Sequence, residues 1–587
     1  MDWAIQMLIL QLFFVTCAAA AATDANEKAF VKLEEYSASG FQETTKNGIS
    51  ANIFLGLPYA KPPINELRFE KPESLPITTS KVVDATKWPS PCHQVVDISD
   101  WGKNTSEDCL YFNVFTPANM TNKKLLPVFI FIHGGGFGYG YNQAYGYEYF
   151  VDNFISQDII MVTLQYRLAH FGFLATPDHV INGNYGHFDQ IQALKFINKN
   201  IAAFGGDPNH ITVMGHSAGS ISVHTLGLTP KAKGLFQQEI HMAGSDYCQF
   251  AVDTQFVFKH SKLISDAVGC NQNNTEEKKL CLKNVDFKRF WEVRKELDLT
   301  DFPYETKDVL YWTTVYDNDL FEGKEIDELQ KVAEKRNILY GIDSGEGLLW
   351  TLETDNTYTN VFSVGRGYKS EERINANADS IKNFLRTLMS NTTAFSPAIQ
   401  EEAIAKIFDF YKIGDEYLAE NPLHYFEKYT ELYTDLIMKV PMSKEIDAKL
   451  EYGFKNQYMF QFSYVRPQDR AIIGNLPGHG YFLLYFAGLE IYTTTGITHS
   501  NEDKIVQKSF AEMLGSFVKT GTPSYNKILI PKITKSEFAH MNIDINVSIG
   551  DQEFSPKLQF WNQLDKANSY DIIRDIPLKK GDDKIEL

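Results

Sequence analysis

One stretch narrows the choice of fold more than any other. From Phe204 to Ser222, the apolar run Ile211-Thr212-Val213-Met214 leads at once into Gly215-His216-Ser217-Ala218-Gly219 and then into residues that suit a helix. A β-rich run, a tight Gly-x-Ser-x-Gly turn and a helix, in that order, raise a serine hydroxyl above the end of a buried strand. Such a turn has no room for a Cβ on either side of the serine, which accounts for Gly215 and Gly219. It also aims the backbone amide of Ala218 at the space above Ser217. The pentapeptide alone is common; the strand ahead of it makes it informative.

The surrounding segments read as alternating strands and helices. Pro127 to His133 is a continuous β-rich run suited to burial on both faces, and Asp158 to Tyr166 is another. Ile191, Leu194, Ile197 and Ile201 recur at helical spacing. Ile338 to Ile342 and Tyr458 to Val465 read as later strands, while 250–440 is rich in aromatic and charged helical segments that suit a cap beside the sheet. Val506, Phe510, Met513, Leu514 and Phe517 stripe a helix closed by Gly521 and Pro523. Phe54 to Pro63 is an apolar run entering a loop, where Pro58, Pro62 and Pro63 exclude a helix. The expected class is α/β, with a large, mostly parallel sheet covered on both faces. No internal repeat or linker divides the chain, so one domain over 23–583 is expected.

A serine hydroxyl is a poor nucleophile until a base takes its proton. On a fold of this kind the partners follow in the order serine, acid, histidine. Four histidines come late enough: His424, His479, His499 and His540. Only His479 sits in a glycine- and proline-rich loop, Gly474 to Gly480, soon after a strong strand. The other three fall in segments read as helix or surface, where a solvated imidazole is expected. For the acid, Glu346 stands out in Gly345-Glu346-Gly347, directly after the strand Leu339-Tyr340-Gly341-Ile342. Spacing alone leaves a solvated turn carboxylate as an equal reading. Gly134-Gly135-Gly136 ends a buried strand ahead of the turn, where backbone amides can receive a developing oxyanion. A phosphate-cradling loop would need a Gly-Lys-Ser/Thr ending, which is missing.

Composition sets further bounds. The 587 residues carry a net charge of −18, which excludes nucleic acid as a partner because phosphate binding needs a basic face. No stretch beyond the first residues is apolar enough to span a membrane. Ile5 to Val15 is apolar except for Gln6 and Gln11, and the alanines 18–22 offer a cleavage site; 1–22 therefore reads as a signal peptide, although no Lys or Arg precedes it. Beyond it lie Cys92, Cys109, Cys248, Cys270 and Cys281, an odd number that leaves at least one unpaired within the chain. No Cys-x-x-Cys or His-Glu-x-x-His occurs, so neither a metal nor a cofactor is expected. Glycosylation acceptors begin at Asn104, Asn119, Asn273, Asn391 and Asn546. Lys584-Ile585-Glu586-Leu587 is similar to a luminal retrieval signal. The expected location is the endoplasmic reticulum lumen, with secretion if that tail is not read.

With these residues in view, the chain resembles a type-B carboxylesterase of the cholinesterase-like α/β-hydrolase family. The carriers are Phe54 to Ala60 with Leu67-Arg68-Phe69, Ser106-Glu107-Asp108-Cys109-Leu110-Tyr111, His133-Gly134-Gly135-Gly136-Phe137, Tyr166-Arg167, Phe171 to Leu174, Gly186 with Asp189-Gln190, and Phe204 to Pro208. The resemblance implies an α/β-hydrolase fold and an enzyme acting on small-molecule esters. Its implied triad is Ser217, Glu346 and His479, with the amides of Gly135, Gly136 and Ala218 as oxyanion hole. It also implies disulfides Cys92–Cys109 and Cys270–Cys281, a free Cys248, and structural ion pairs Arg68–Glu107 and Arg167–Asp189. Three departures stand out: His216 where cholinesterases carry Glu, Gly480-Tyr481-Phe482 where relatives commonly carry an acidic residue, and Ala243 where a serine usually supports the acid. Trp101 is offset from the choline-binding tryptophan of cholinesterases and reads as packing. A serine carboxylesterase is expected. The rivals are a cholinesterase, which His216 argues against, and a non-catalytic neuroligin-like adhesion module, which Ser217 argues against.

Overall fold

Thirteen strands form one sheet whose middle is parallel and whose flanks are mostly antiparallel. In chain order they are β1 (Lys28–Lys32), β2 (Ser37–Thr44), β3 (Ser50–Pro58), β4 (Val82–Asp84), β5 (Tyr111–Pro117), β6 (Leu126–Ile132), β7 (Ile160–Leu164), β8 (Gly206–His216), β9 (Gln238–Met242), β10 (Asn337–Asp343), β11 (Gln457–Phe462), β12 (His540–Ile543) and β13 (Ser548–Gly550). Across the sheet the order is β1-β2-β3-β5-β7-β6-β8-β9-β10-β11-β12-β13, with β4 beside β2. Every pairing from β7 through β12 is parallel. This computed structural model describes residues 28–94, 104–119, 124–248, 251–252, 254–297, 312–353, 367–390, 394–491, 496–535, 537–550 and 553–578. The expected signal peptide, the closing tetrapeptide, Trp101 and Asn391 lie outside them.

The central strands carry no alternation of apolar and polar residues because helices cover both faces of the sheet. All five residues of β7 and of β9 and all six of β11 are buried. The strand expected at Pro127–His133 is Leu126–Ile132, and the one expected at Asp158–Tyr166 is shorter, Ile160–Leu164. Asp158 is turned into the left-handed region at φ 58° after a single turn of 3-10 helix, so the chain enters the sheet later than its composition implies. The striped helix is Asn501–Thr520. Ser500 and Asp503 bond each other's backbone amides at its start, and Gly521, at φ 73°, ends it.

The stretch expected to form a cap is helical on both sides of β10. Its longer helices are Thr254–Ala267, Ala378–Met389, Pro397–Tyr411, His424–Thr434 and Val440–Glu451. Disulfides join Cys92 to Cys109 and Cys270 to Cys281, closing loops of separation 17 and 11, and Cys248 is free and buried. Burial pushes the Cys248 thiol well above its ordinary range, which makes it unreactive. Arg167 forks onto Asp189 with two bonds of 2.8 Å, and Arg68 pairs with Glu107. Asn104, Asn119, Asn273 and Asn546 are exposed. Among the described residues, no helix is long and apolar enough to cross a membrane.

Candidate active site

The loops that follow β6, β8, β10 and β11 meet above the carboxyl end of the sheet. β8 ends at His216, the helix Ala218–Leu228 begins two residues later, and Ser217 alone makes the turn. Its backbone sits at φ 57°, ψ −124°, a conformation that costs a non-glycine residue about 1–3 kcal/mol. Two sets of bonds hold it there. The Ser217 amide donates to the Met242 carbonyl at 2.9 Å, and its carbonyl accepts from Ser220 at 2.8 Å and Ile221 at 3.1 Å. A Cβ on Gly215 would lie 1.9 Å from the carbonyl oxygen of Gly219, and one on Gly219 would lie 2.2 Å from that of Ile132. Both glycines are therefore required by the turn itself.

Gly134-Gly135-Gly136 runs beside this turn; a Cβ on Gly134 would stand 2.8 Å from Cβ of Ser217. Gly135 and Gly136 take φ of 112° and 57°. Among the described residues, the amides of Gly135, Gly136 and Ala218 donate to no protein acceptor outside regular helix or strand bonding. Ala218 is the first residue of its helix, so its amide has no partner within it.

Glu346 and His479 are in direct contact. Nδ1 of His479 donates to Oε2 of Glu346, the remaining oxygen of which accepts the Asp343 amide at 2.7 Å. Glu346 is wholly buried, so the reading of it as a solvated turn carboxylate falls. A carboxylate accepts only, so its contact places the proton on Nδ1 and leaves Nε2 of His479 as an acceptor. His479 and half-buried Ser217 line one cleft with Gly134, Gly135 and His216. Burial, then the charge His479 can carry, hold the His216 imidazole well below its ordinary pKa. It is a neutral wall.

The other late histidines do not come to the cleft, and the expectation of solvated rings is corrected for them. His424 and His540 are 6% and 4% exposed; the latter lies on β12, packed against Phe554. His499 is half-buried, with Nε2 at 2.7 Å from the Tyr149 hydroxyl. His424 stacks on Tyr417 with ring centroids 4.8 Å apart.

Residues 27–561 match the carboxylesterase family. The chain belongs to that family. This carboxylesterase is 30% identical over 537 residues to Gut esterase 1 of Caenorhabditis briggsae, covering 89% of this chain and 91% of that one. It is also 30% identical over 537 residues to Esterase E4 of Myzus persicae, covering 88% and 90%, and 26% identical to Carboxylesterase 1C of Rattus norvegicus, covering 87% and 89%.

Other parts of this carboxylesterase's site were not legible in its sequence. Tyr139, Tyr141 and Tyr145 line the cleft, as do Leu349, Leu489 and Ile491. The tyrosines follow the glycine run within ten residues, a proximity that could have marked them. Asp343, three residues before Glu346, touches the loop of His479, and only its place at a strand end hinted at this. At Ala243 the backbone takes φ 54° and its amide donates to Gly341 at 2.9 Å. No hydroxyl is supplied to Glu346 from that position, and the Asp343 amide bonds the carboxylate instead.

Proposed function

We propose that this carboxylesterase hydrolyses carboxylic esters to acid and alcohol through an acyl-enzyme on Ser217, with His479 as general base and acid and Glu346 as its orienting carboxylate. Nε2 of His479 takes the Ser217 proton as the hydroxyl attacks the ester carbonyl. Negative charge gathers on the carbonyl oxygen, which the amides of Gly135, Gly136 and Ala218 receive. One such donor is worth about 3–4 kcal/mol of transition-state stabilisation. Buried Glu346 fixes the imidazole tautomer and stabilises the imidazolium. His479 then gives its proton to the leaving alcohol, and water repeats the sequence to release the acid.

The observation that carries this reading is the contact between His479 and buried Glu346, beside a cleft shared with Ser217. The tyrosine and leucine lining suits neutral esters of apolar acids or alcohols. For its address, the alanine-rich leader over 1–22 and the Lys584-Ile585-Glu586-Leu587 ending support a single hydrolase domain over 23–583 retained in the endoplasmic reticulum lumen. The test is pre-steady-state assay of purified protein with short-chain aryl esters and with acylcholines. Aryl esters should release a burst of about one alcohol equivalent per site and acylcholines should turn over slowly. The burst should vanish in Ser217→Ala. Unchanged hydrolysis in that variant would overturn the proposal, and the absence of any hydrolysis in the parent protein would favour an adhesion role.

A further inference from the structure

Asp343 takes part in both halves of the acid–base pair. It is the last residue of β10, a strand paired on both sides, and it precedes Glu346 by three residues. Its backbone amide donates to Oε1 of Glu346 at 2.7 Å. Its side chain crosses to the loop that carries His479, where Oδ2 accepts the Gly480 amide at 2.9 Å and Oδ1 the Phe482 amide at 3.3 Å. Gly480 directly follows His479, so the side chain grips the chain one bond beyond the base. The two loops are also joined through backbone, where the Gly345 amide donates to the Pro477 carbonyl at 2.9 Å.

This arrangement is costly. The Asp343 carboxyl is wholly buried beside a second buried carboxyl, and burial, then the charge of Glu346, push its pKa well above the usual range. Two acceptor oxygens on one short side chain are nevertheless what two converging amides need. A serine or an asparagine offers only one oxygen, which would leave one buried amide unpartnered. We infer that Asp343 is a positioning residue for ester hydrolysis: one side chain fixes the His479 loop to the strand end that presents Glu346, holding base and acid in register. The register matters because a displacement of about 1 Å in a reacting group can cost on the order of 100-fold in rate.

This inference rests on the proposed roles of Ser217, His479 and Glu346, and its test separates the two. Active sites are titrated with a fluorophosphonate, and kcat and KM for an aryl ester are then measured per titrated site in the parent enzyme, Asp343→Asn and Asp343→Ala. Because Asn keeps one acceptor, kcat per site should fall about 10-fold in Asp343→Asn and about 100-fold in Asp343→Ala, with KM within about threefold of the parent. Amide hydrogens of 478–482 should exchange faster in both variants. An unchanged kcat per titrated site, or a loss confined to the number of titratable sites, would overturn the inference. So would failure of both variants to accumulate as folded protein, which would assign Asp343 to folding alone. A parent enzyme that takes up no fluorophosphonate would instead sink the role of Ser217, and this inference with it.

Discussion

The imidazole rings of His216 and His479 lie 4.7 Å apart at their centroids, with planes tilted by 33°. His216 is 5% exposed, and among the described residues its Nε2 has no hydrogen-bond partner. A neutral ring in this place gives the imidazolium of His479 no countercharge beyond Glu346. A carboxylate there would stabilise the protonated form and raise the pKa of the base. His216→Glu should therefore move the acidic limb of the kcat/KM profile to higher pH by about one unit. Among the described residues, none of the side chains that line the cleft is acidic, so the same variant should also raise turnover of acylcholines relative to aryl esters. An unmoved or lowered limb would mean that His479 does not sense position 216.

Glu346→Gln keeps the shape of the acid but presents an amide to Nδ1 of His479. Its NH₂ group favours the tautomer with the proton on Nε2, the atom that must accept from Ser217. We expect kcat to fall about 10³- to 10⁴-fold with KM changed less than about threefold. Steady-state kinetics on an aryl ester checks this. A loss below about tenfold would show that the carboxylate does not orient the base.

Gly134→Ala tests whether the glycine run is fitted to the nucleophile. The added Cβ would stand 2.6 Å from the His216 carbonyl oxygen and 2.8 Å from Cβ of Ser217. One of the two backbones must yield. Activity should drop by about 100-fold or more, as in loss of an oxyanion donor, while the thermal midpoint falls by only a few degrees. Full activity in the folded variant would mean that the loop yields without disturbing the site.

Buried histidines set how the fold responds to acid. Burial holds His133 and His187 at about 4, below the ordinary value of 6.5. Below pH 6.5 the unfolded chain binds a proton at each position that the native state refuses. Their contribution is thus fully present above pH 6.5 and is lost as pH falls toward 4, on the order of 3 kcal/mol for each group. Thermal midpoints should be level near neutrality and decline steadily from pH 6.5 to 4. His187→Gln should shallow that decline by one proton. A midpoint constant down to pH 4 would contradict this account.

Much of the site was legible because its parts are set by local rules. The Gly215–Gly219 turn is dictated by sterics, the glycine run by its closeness to Ser217, and the loops of Glu346 and His479 by the strands β10 and β11 that precede them. The buried runs of β6 and β8 likewise disclose a parallel sheet, since only a strand covered on both faces lacks alternation. What was not legible depends on contacts between distant segments. Asp343 reads as a polar end to a strand until its side chain is seen to cross 137 positions to Gly480. His424 and His540 read as surface because nothing local says that Tyr417 or Phe554 will cover them. The cleft lining follows the same logic, with Tyr139, Leu349 and Ile491 drawn from three separated segments.

The central claim is that the hydroxyl of Ser217 is the group activated at the convergence of these loops. Mass-spectrometric mapping of the folded protein after reaction with a fluorophosphonate tests it most directly. One adduct per chain is expected, on the peptide that contains Gly215 to Gly219 and at Ser217, with none in Ser217→Ala. An adduct on any other residue, or equal labelling of the Ser217→Ala protein, would contradict it.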